Sequence, residues 1–254
     1  MFLRDFIYAV PKSISKNEVS QTLEFKSNEY RGVWFSYIDW INLIEASCKN
    51  DDLDENKFIK LIEQIFKNLK SVGINVLYVH LLAFGDTFYK SKLAAKSKNL
   101  KNLNFDKLDP LKIFIKFAKE NDIQIHGWIN PMRAFLNRDI DSLPNDYNSK
   151  KWFEEPLRKK YYLGLAENKW WVLNPCNGEV IKLILDVVEE ILTNYDLDEI
   201  HIEDYFYPLE ISKENYDSSF YDEIKPQNCS IEKFRFLGVS NLVKLIKKKS
   251  VEFE

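Results

Sequence analysis

The side chains best suited to chemistry lie on two short stretches: the predicted strand 123–130, and residues 199–205, which contain the predicted strand 199–203 and the start of its loop. In both, isoleucines alternate with polar or aromatic residues, so each strand has one apolar and one polar face. If the apolar faces lie against helices, as in a β/α barrel, the polar faces point inward. The inward side chains are then Gln124, His126, Trp128 and Asn130 on the first strand and His201, Glu203 and Tyr205 on the second.

Two neighbouring acids, Glu203 and Asp204, end the second of these strands. An inward carboxylate beside aromatic rings is poorly solvated, which favours its protonated form and suits Glu203 to proton donation. Asp204 falls at the rim, where a second carboxylate can stabilise positive charge or activate water, as in glycoside hydrolysis. The alternative is a solvated rim with no chemical role.

Aromatic side chains near these acids provide flat apolar faces that suit sugar rings. They are Trp128, Tyr205 and Tyr207. Trp128 is equally compatible with a place in a barrel core.

Three histidines, His80, His126 and His201, fall near the carboxyl ends of predicted strands. Three imidazoles on adjacent strands could bind zinc with an open fourth position. No H-x-H or H-x-x-x-D spacing accompanies them, so hydrogen-bonding histidines are the favoured interpretation and we expect no metal and no cofactor. The cysteines are far apart and odd in number, which favours buried or incidental thiols over a disulfide framework or a zinc site.

Strands and helices alternate along the chain, which predicts right-handed βαβ units and a parallel sheet, either a barrel or an open doubly wound sheet. The predicted strands span 32–37, 74–82, 123–130 and 199–203, and a fifth could begin at 251–253. The predicted helices span 58–72, 109–118, 180–191 and 230–249. No glycine-rich turn follows the first strand, so nucleotide binding has no support.

Three long connections, 83–108, 131–178 and 205–230, follow the carboxyl ends of predicted strands. Parallel α/β folds place their sites at that end of the sheet. A complete eight-unit barrel takes about 250 residues, whereas this chain spends that length on four units. We therefore predict an incomplete barrel that bears a site.

The composition is that of a globular protein, with 254 residues, 45% hydrophobic and 15% aromatic side chains. A formal net charge of -3 gives no basic face for nucleic acid. The sequence lacks the roughly 18 consecutive apolar residues of a membrane span. Residues 1–11 do not form a signal peptide, which predicts a cytoplasmic protein as written, or an envelope or extracellular one if the chain is part of an exported protein.

Five segments together resemble a known family. They are RGVWFSYIDW (31–40), NVLYVHLLAFGDTFYKSKL (75–93), DPLKIFIKFAKENDIQIHGWINPMR (109–133), WWVLNPCNGEV (170–180) and DEIHIEDYFYP (198–208). They are similar to the YngK-like glycosyl hydrolases, bacterial "family 10-like" enzymes with a (β/α)8 barrel. The resemblance covers residues 30–254, apparently the amino-terminal half of the barrel, and leaves 1–29 as an extension.

The resemblance implies hydrolysis of glycosidic bonds in bacterial cell-wall glycan (peptidoglycan) or a related polysaccharide. It also implies a substrate cleft made of Asp86, His126, Asn130, Arg133, Asn174, His201, Glu203, Asp204 and Tyr205. Arg133 and Asp86 are suited to hydrogen-bonding sugar hydroxyls.

Four departures from the family pattern are visible. Leu82 stands where relatives have the arginine of Q-V-R-P, and Glu203 replaces the first acid of their DDYFYP. Residues 234–238 (FRFLG) replace W-R-R-E-N. The fourth departure is that the chain stops where a fifth strand would begin.

A half barrel leaves two sheet edges unpaired, which favours aggregation unless something covers them. The alternatives are a homodimer, an edge covered by residues 1–29, and a continuation of the chain. A truncated, weakly active hydrolase is therefore one hypothesis. A non-catalytic glycan-binding protein or degenerate remnant is the alternative.

Overall fold

The computed structural model describes residues 29–50, 52–203, 206–208, 216–224 and 227–253. The proposed covering role of residues 1–29 therefore lies almost wholly outside the described residues. The strands are β1 (Gly32–Phe35), β2 (Cys48–Lys49), β3 (Asp52–Leu53), β4 (Val76–Leu82), β5 (Asp86–Thr87), β6 (Ala95–Lys96), β7 (Gln124–Ile129), β8 (Arg133–Leu136), β9 (Tyr162–Ala166), β10 (Trp170–Leu173) and β11 (Glu199–Ile202). The α-helices are α1 (Tyr37–Ser47), α2 (Glu55–Ser71), α3 (Pro110–Glu120), α4 (Asn148–Trp152), α5 (Arg158–Tyr161), α6 (Gly178–Asn194), α7 (Asp217–Ile224) and α8 (Ile231–Val251).

The chain forms two compact units. Of the described residues, the first contains those within 29–80 and 99–126, and the second contains those within 81–98 and 127–253. Strands β4 and β7 each begin in the first unit and end in the second. None of the helices in the described residues is long and apolar enough to cross a membrane.

In the first unit, β4 lies between β1 and β7. β1 runs parallel to β4, with Gly32 opposite Val76 and Phe35 opposite Val79. The start of β7 is bonded to the start of β4, because the Gln124 N–H donates to the Asn75 carbonyl at 2.9 Å. This is the parallel ladder that the alternating pattern predicts.

Aromatic rings form the core of the first unit. The rings of Phe35, Trp40 and Phe114 lie 4.7–5.0 Å apart, centroid to centroid, and all three side chains are buried. The Trp40 indole N–H donates to the main-chain carbonyl of His80 at 2.9 Å, which satisfies its polar atom inside the core.

The sequence predicts a strand over residues 32–37 and no helix after it. In the structure β1 ends at Phe35 and helix α1 begins at Tyr37. The Asp39 carboxylate accepts from both the main-chain N–H (2.8 Å) and the hydroxyl (2.7 Å) of Ser36, the residue before the helix. Burial raises the pKa of Asp39, and the bonds from Ser36 oppose that rise. This S-x-x-D spacing is the sequence feature that could have predicted the helix.

The predicted helix start at Asp109-Pro110 is confirmed. The Asp109 carboxylate accepts from the main-chain N–H groups of Leu111 (3.2 Å) and Lys112 (3.3 Å), and Pro110 is the first helical residue. A capping carboxylate satisfies donors that have no partner within the helix, and proline needs no such partner.

In the second unit, β7 lies between β4 and β11. Gly127 of β7 is closely packed, since a β-carbon there would lie 2.8 Å from side-chain carbons of both Leu81 and Leu197. The described strands do not close into a barrel. The predicted α/β architecture with an incomplete parallel sheet is confirmed.

The connections predicted as long loops contain further strands. Residues 131–178 form an antiparallel sheet in the order β8-β10-β9, and in 83–108 β5 pairs antiparallel with the end of β4. The predicted beginning of a fifth strand at 251–253 is wrong, because Val251 ends α8 and a turn follows it. The Glu252 N–H donates to the Lys249 carbonyl and the Phe253 N–H to the Ser250 carbonyl, so these residues form a turn at the end of the helix.

Candidate active site

The ends of β4, β7 and β11 are joined through Asn130 in the second unit. Its side chain is fully buried. Its main-chain N–H donates to the Leu82 carbonyl at 2.9 Å, and its amide Nδ2 donates to the Glu203 carbonyl at 3.0 Å. The Glu203 N–H in turn donates to the Ile129 carbonyl at 3.3 Å. Asn130, predicted to hold sugar, therefore fixes the main chain of Glu203.

The side chain of Glu203 is exposed, whereas the sequence predicts a poorly solvated carboxylate. The physical reason is its position, since β11 is the outermost strand of the sheet formed by the described residues. Asp204 and Tyr205 lie outside the described residues, so the paired geometry of the two acids stays a prediction.

Asp86 follows the turn at the end of β4. Its Oδ1 accepts from the Phe84 N–H at 3.0 Å, and its carboxylate also bonds to the side chain of Ser97. Burial raises the pKa of Asp86 in spite of these bonds. Gly85 makes the turn possible, because it has a positive φ of 66° and a β-carbon there would lie 1.7 Å from the Ala134 carbonyl oxygen.

Arg133 begins β8, and its guanidinium lies near two aromatic rings. Its guanidinium carbon is 4.8 Å from the ring centre of Phe84 and 4.9 Å from that of Trp170. The two ring centres lie only 6.2 Å apart, so both rings contact the guanidinium from neighbouring directions, and each attracts its charge. Sequence reasoning assigns no role to Phe84 or Trp170, although both lie in the quoted family segments.

Asn174 is fully buried and bonds to its own surroundings. Its Nδ2 donates to the Lys160 carbonyl at 3.2 Å, and its Oδ1 accepts from the Cys176 N–H at 3.0 Å. These bonds shape the turn before α6, so the structure gives Asn174 a positioning role. A role in the cleft stays a prediction.

His126 lies in the first unit and is buried. Its ring makes T-shaped contacts with the rings of Tyr78 and Tyr30, with centroid-to-centroid distances of 5.1 and 6.2 Å. His80, also in the first unit, lies 5.9 Å from the ring of Tyr37. Across the described part of the chain, there is no group of three or more His, Cys, Asp or Glu side chains placed to hold a metal ion. The zinc hypothesis therefore gains no support.

His201 lies in the second unit on β11, two residues before Glu203, which directly follows the strand. Its side chain is half-buried, and burial lowers its pKa, while the carboxylates of Glu203 and Glu199 raise it. Its neutral imidazole is able both to donate and to accept a hydrogen bond.

The two remaining predicted aromatic residues are both half-buried. Trp128 lies near the end of β7 in the second unit. The Tyr207 hydroxyl is 3.6 Å from the Cys176 sulfur, and its ring faces the guanidinium of Arg235 at 5.7 Å. Tyr207 therefore has protein partners on both its hydroxyl and its ring.

A mainly apolar pocket, partly open to solvent, borders Arg133 in the second unit. Leu82, Leu173 and Ile184 contribute to its wall, and Glu203 does not. A sugar-accepting hollow at Glu203 itself stays a prediction.

Comparison with known proteins identifies the family of this chain. A model of the family glycosyl hydrolase-like 10 matches residues 29–248. The chain belongs to this family. The resemblance found in its sequence segments is thereby confirmed, and the protein is glycoside-hydrolase-like.

Two curated members are similar over most of this chain. Glycosyl hydrolase YngK of Bacillus subtilis (strain 168) is 28% identical over 229 residues, which are 86% of this chain and 41% of YngK. Glycosyl hydrolase DigH of Escherichia coli (strain K12) is 22% identical over 193 residues, 73% of this chain and 44% of DigH. The chain thus spans less than half the length of these relatives.

A solved structure supports the fold class. The GH20 exo-β-N-acetylglucosaminidase from Vibrio harveyi has a TM-score of 0.52 and 16% sequence identity, with 87% of this chain and 34% of that chain covered. At this identity the likeness is one of fold. It is consistent with the predicted TIM-barrel-like class.

Proposed function

We propose that the chain hydrolyses glycosidic bonds in bacterial cell-wall glycan or a related polysaccharide, with Glu203 as proton donor and Asp204 as its carboxylate partner. The observation that carries the proposal is the bond from the Asn130 amide to the Glu203 carbonyl. It fixes an acidic residue at the carboxyl end of a strand, in a chain whose family is glycosyl hydrolase-like.

The proposed reaction uses two carboxyl groups with different tasks. Glu203 gives its proton to the oxygen of the leaving sugar as the glycosidic bond breaks, and Asp204 stabilises the positive charge on the sugar or activates water.

Residues of the second unit supply the contacts for the sugar. Arg133, Asp86 and His201 carry polar groups that hydrogen-bond hydroxyls, and Trp128 offers an apolar ring face. The long connections from which Asp86 and Arg133 come both follow strand ends, which is where parallel α/β folds bind their ligands.

Reducing-end release from purified glycan strands tests the proposal. The wild-type chain is expected to release new reducing ends, and a chain with both Glu203→Gln and Asp204→Asn is expected to release none. Glu199→Gln is the matched control, because Glu199 is an exposed acid on the same face at the other end of β11. Hydrolysis that survives the double substitution would contradict the assignment.

One observation favours glycan binding without cleavage as a second candidate. Leu82 occupies the place of an arginine in the related family segments, and its side chain is buried. A leucine cannot hydrogen-bond or stabilise charge in a cleft. Glycan binding that Trp128→Ala weakens, with no release of reducing ends by the wild-type chain, would establish this candidate over the first.

A homodimer that covers the open sheet edges stays a prediction. In its favour, β11 is an outermost strand in the described sheet, and Phe236 and Leu237 of α8 are exposed. Sedimentation equilibrium decides it: a concentration-dependent mass of two chains supports the dimer, and the mass of one chain contradicts it.

A further inference from the structure

The chain that follows β11 is held at Tyr207. The Tyr207 hydroxyl lies 3.6 Å from the sulfur of Cys176, and the ring lies beneath the guanidinium of Arg235, whose carbon is 5.7 Å from the ring centre. A cation at this distance from an aromatic face is attracted to it. Tyr207 is four residues beyond Glu203 in the sequence.

Arg235 is itself fixed by an ion pair. Its Nε and Nη2 contact the two carboxylate oxygens of Asp217 at 2.5 and 2.9 Å, and Asp217 is buried. The bidentate pair holds the guanidinium in one plane. Asp217 raises the pKa of Arg235, so the cation over the Tyr207 ring is permanent.

Cys176 fills a space that Gly238 leaves open. A β-carbon on Gly238 would lie 2.3 Å from the Cys176 sulfur, and the thiol donates to the Phe234 carbonyl at 3.7 Å. Gly238 occupies the last place of the segment in which this chain departs from W-R-R-E-N. Burial raises the pKa of Cys176 and that of Tyr207, so both groups stay neutral and hydrogen-bonded near neutral pH.

We infer that Tyr207 is a positioning residue: together with Cys176, Arg235 and Asp217 it forms a latch that fixes the segment carrying Glu203. Asn130 holds the main chain of Glu203 from β7, and the latch holds the same segment four residues later. The sugar-binding role of Tyr207 stays a prediction beside this positioning role. It rests on the proposed function only in giving Glu203 a catalytic task.

The first test measures how well Tyr207 covers the Cys176 thiol. Cys48→Ser and Cys229→Ser together leave Cys176 as the single thiol, whose rate of reaction with 5,5′-dithiobis(2-nitrobenzoate) is then measured. Tyr207→Ala is expected to raise the rate by roughly tenfold or more, because the latch no longer covers the sulfur. Tyr147→Ala, a tyrosine of the same unit outside the latch, is the control and is expected to leave the rate unchanged.

The second test reports on the position of Glu203. The carboxylate of Glu203 raises the pKa of His201, so Glu203→Gln is expected to lower the His201 titration midpoint in an NMR titration. Tyr207→Ala changes no charge. It is expected to lower the midpoint in the same direction, because the released carboxylate moves away from the imidazole.

An unchanged labelling rate or an unchanged His201 midpoint in folded Tyr207→Ala would overturn the inference. If that variant does not fold, Arg235→Lys decides by the same two readouts, since lysine keeps the charge beside Asp217 but loses the planar group over the ring. Neither readout needs substrate. If the wild-type chain does not hydrolyse glycan, the proposed function is refuted and the latch is not. If the wild-type chain hydrolyses glycan and both readouts are unchanged in Tyr207→Ala, the latch is refuted and the proposed function is not.

Discussion

Replacement of Asn130 by alanine tests whether one buried amide holds the strand ends together. Its Nδ2 bond to the Glu203 carbonyl is 3.0 Å long and partly buried, and the residue itself is fully buried. Loss of the bond removes about 1 kcal/mol, and the carbonyl left without a donor adds about 1 kcal/mol more, at the lower end of the range because water reaches it. The expected loss is therefore about 2 kcal/mol in the free energy of unfolding.

Thermal unfolding followed by circular dichroism measures this effect. For a chain of this size, about 2 kcal/mol corresponds to a fall of roughly 4–8 °C in Tm. The control is Asn194→Ala, which removes a 2.7 Å bond to the Glu190 carbonyl on an exposed helix end and is expected to change stability by less than about 0.5 kcal/mol. Equal Tm values for Asn130→Ala and the control would refute the reasoning.

Three further predictions concern the surroundings of the site. Glu190 accepts from the hydroxyls of Tyr89 and Ser91 and from the Lys92 N–H, so Glu190→Gln, which turns one acceptor into a donor, is expected to lose about 1–3 kcal/mol in urea denaturation. Glu189→Gln is its control, since the pair of Glu189 with Lys249 is exposed to solvent and is expected to contribute little to stability, and an equal loss would contradict the prediction. Gly85→Ala is expected to lower Tm sharply, whereas Gly178→Ala, with open space around it, is expected to leave Tm unchanged or raise it, and similar Tm values for the two would be the contrary result. The third prediction concerns Asp86, whose pKa is raised in the folded state. Above the pKa that Asp86 has in the unfolded state, the folded state therefore binds more protons, so the stability of the wild-type chain is expected to fall relative to that of Asp86→Asn as pH rises from about 4. Parallel pH profiles of stability for the two proteins would contradict this.

The parallel strands and their helices could be predicted because local patterns specify them. Alternating isoleucines mark β7 and β11, and the Asp109-Pro110 pair marks the start of α3. Helix α1 was missed because its S-x-x-D start follows β1 without a break. The strand predicted at 251–253 is a turn after α8, since apolar residues at a chain end do not distinguish a strand from a helix end.

The candidate site was predictable as a set of positions but not as a set of contacts. Strand parity predicts Glu203 and His201 on one face, and the structure places His201 on β11 and Glu203 directly after the strand. The bonds that occupy Asn130 and Asn174 join residues far apart in the sequence or run to main-chain atoms, and neither kind follows from residue type and spacing. The same holds for the two rings that contact the guanidinium of Arg133.

The proton-donor role of Glu203 is tested most directly by comparing two leaving groups. The nitrophenolate of a 4-nitrophenyl glycoside leaves without needing a proton, whereas the leaving sugar of a glycan strand needs one. Glu203→Gln is therefore predicted to lower kcat/KM on glycan strands by about 10²–10⁴-fold and to change it far less on the aryl glycoside. An equal loss on both substrates, or no loss on either, would contradict the account.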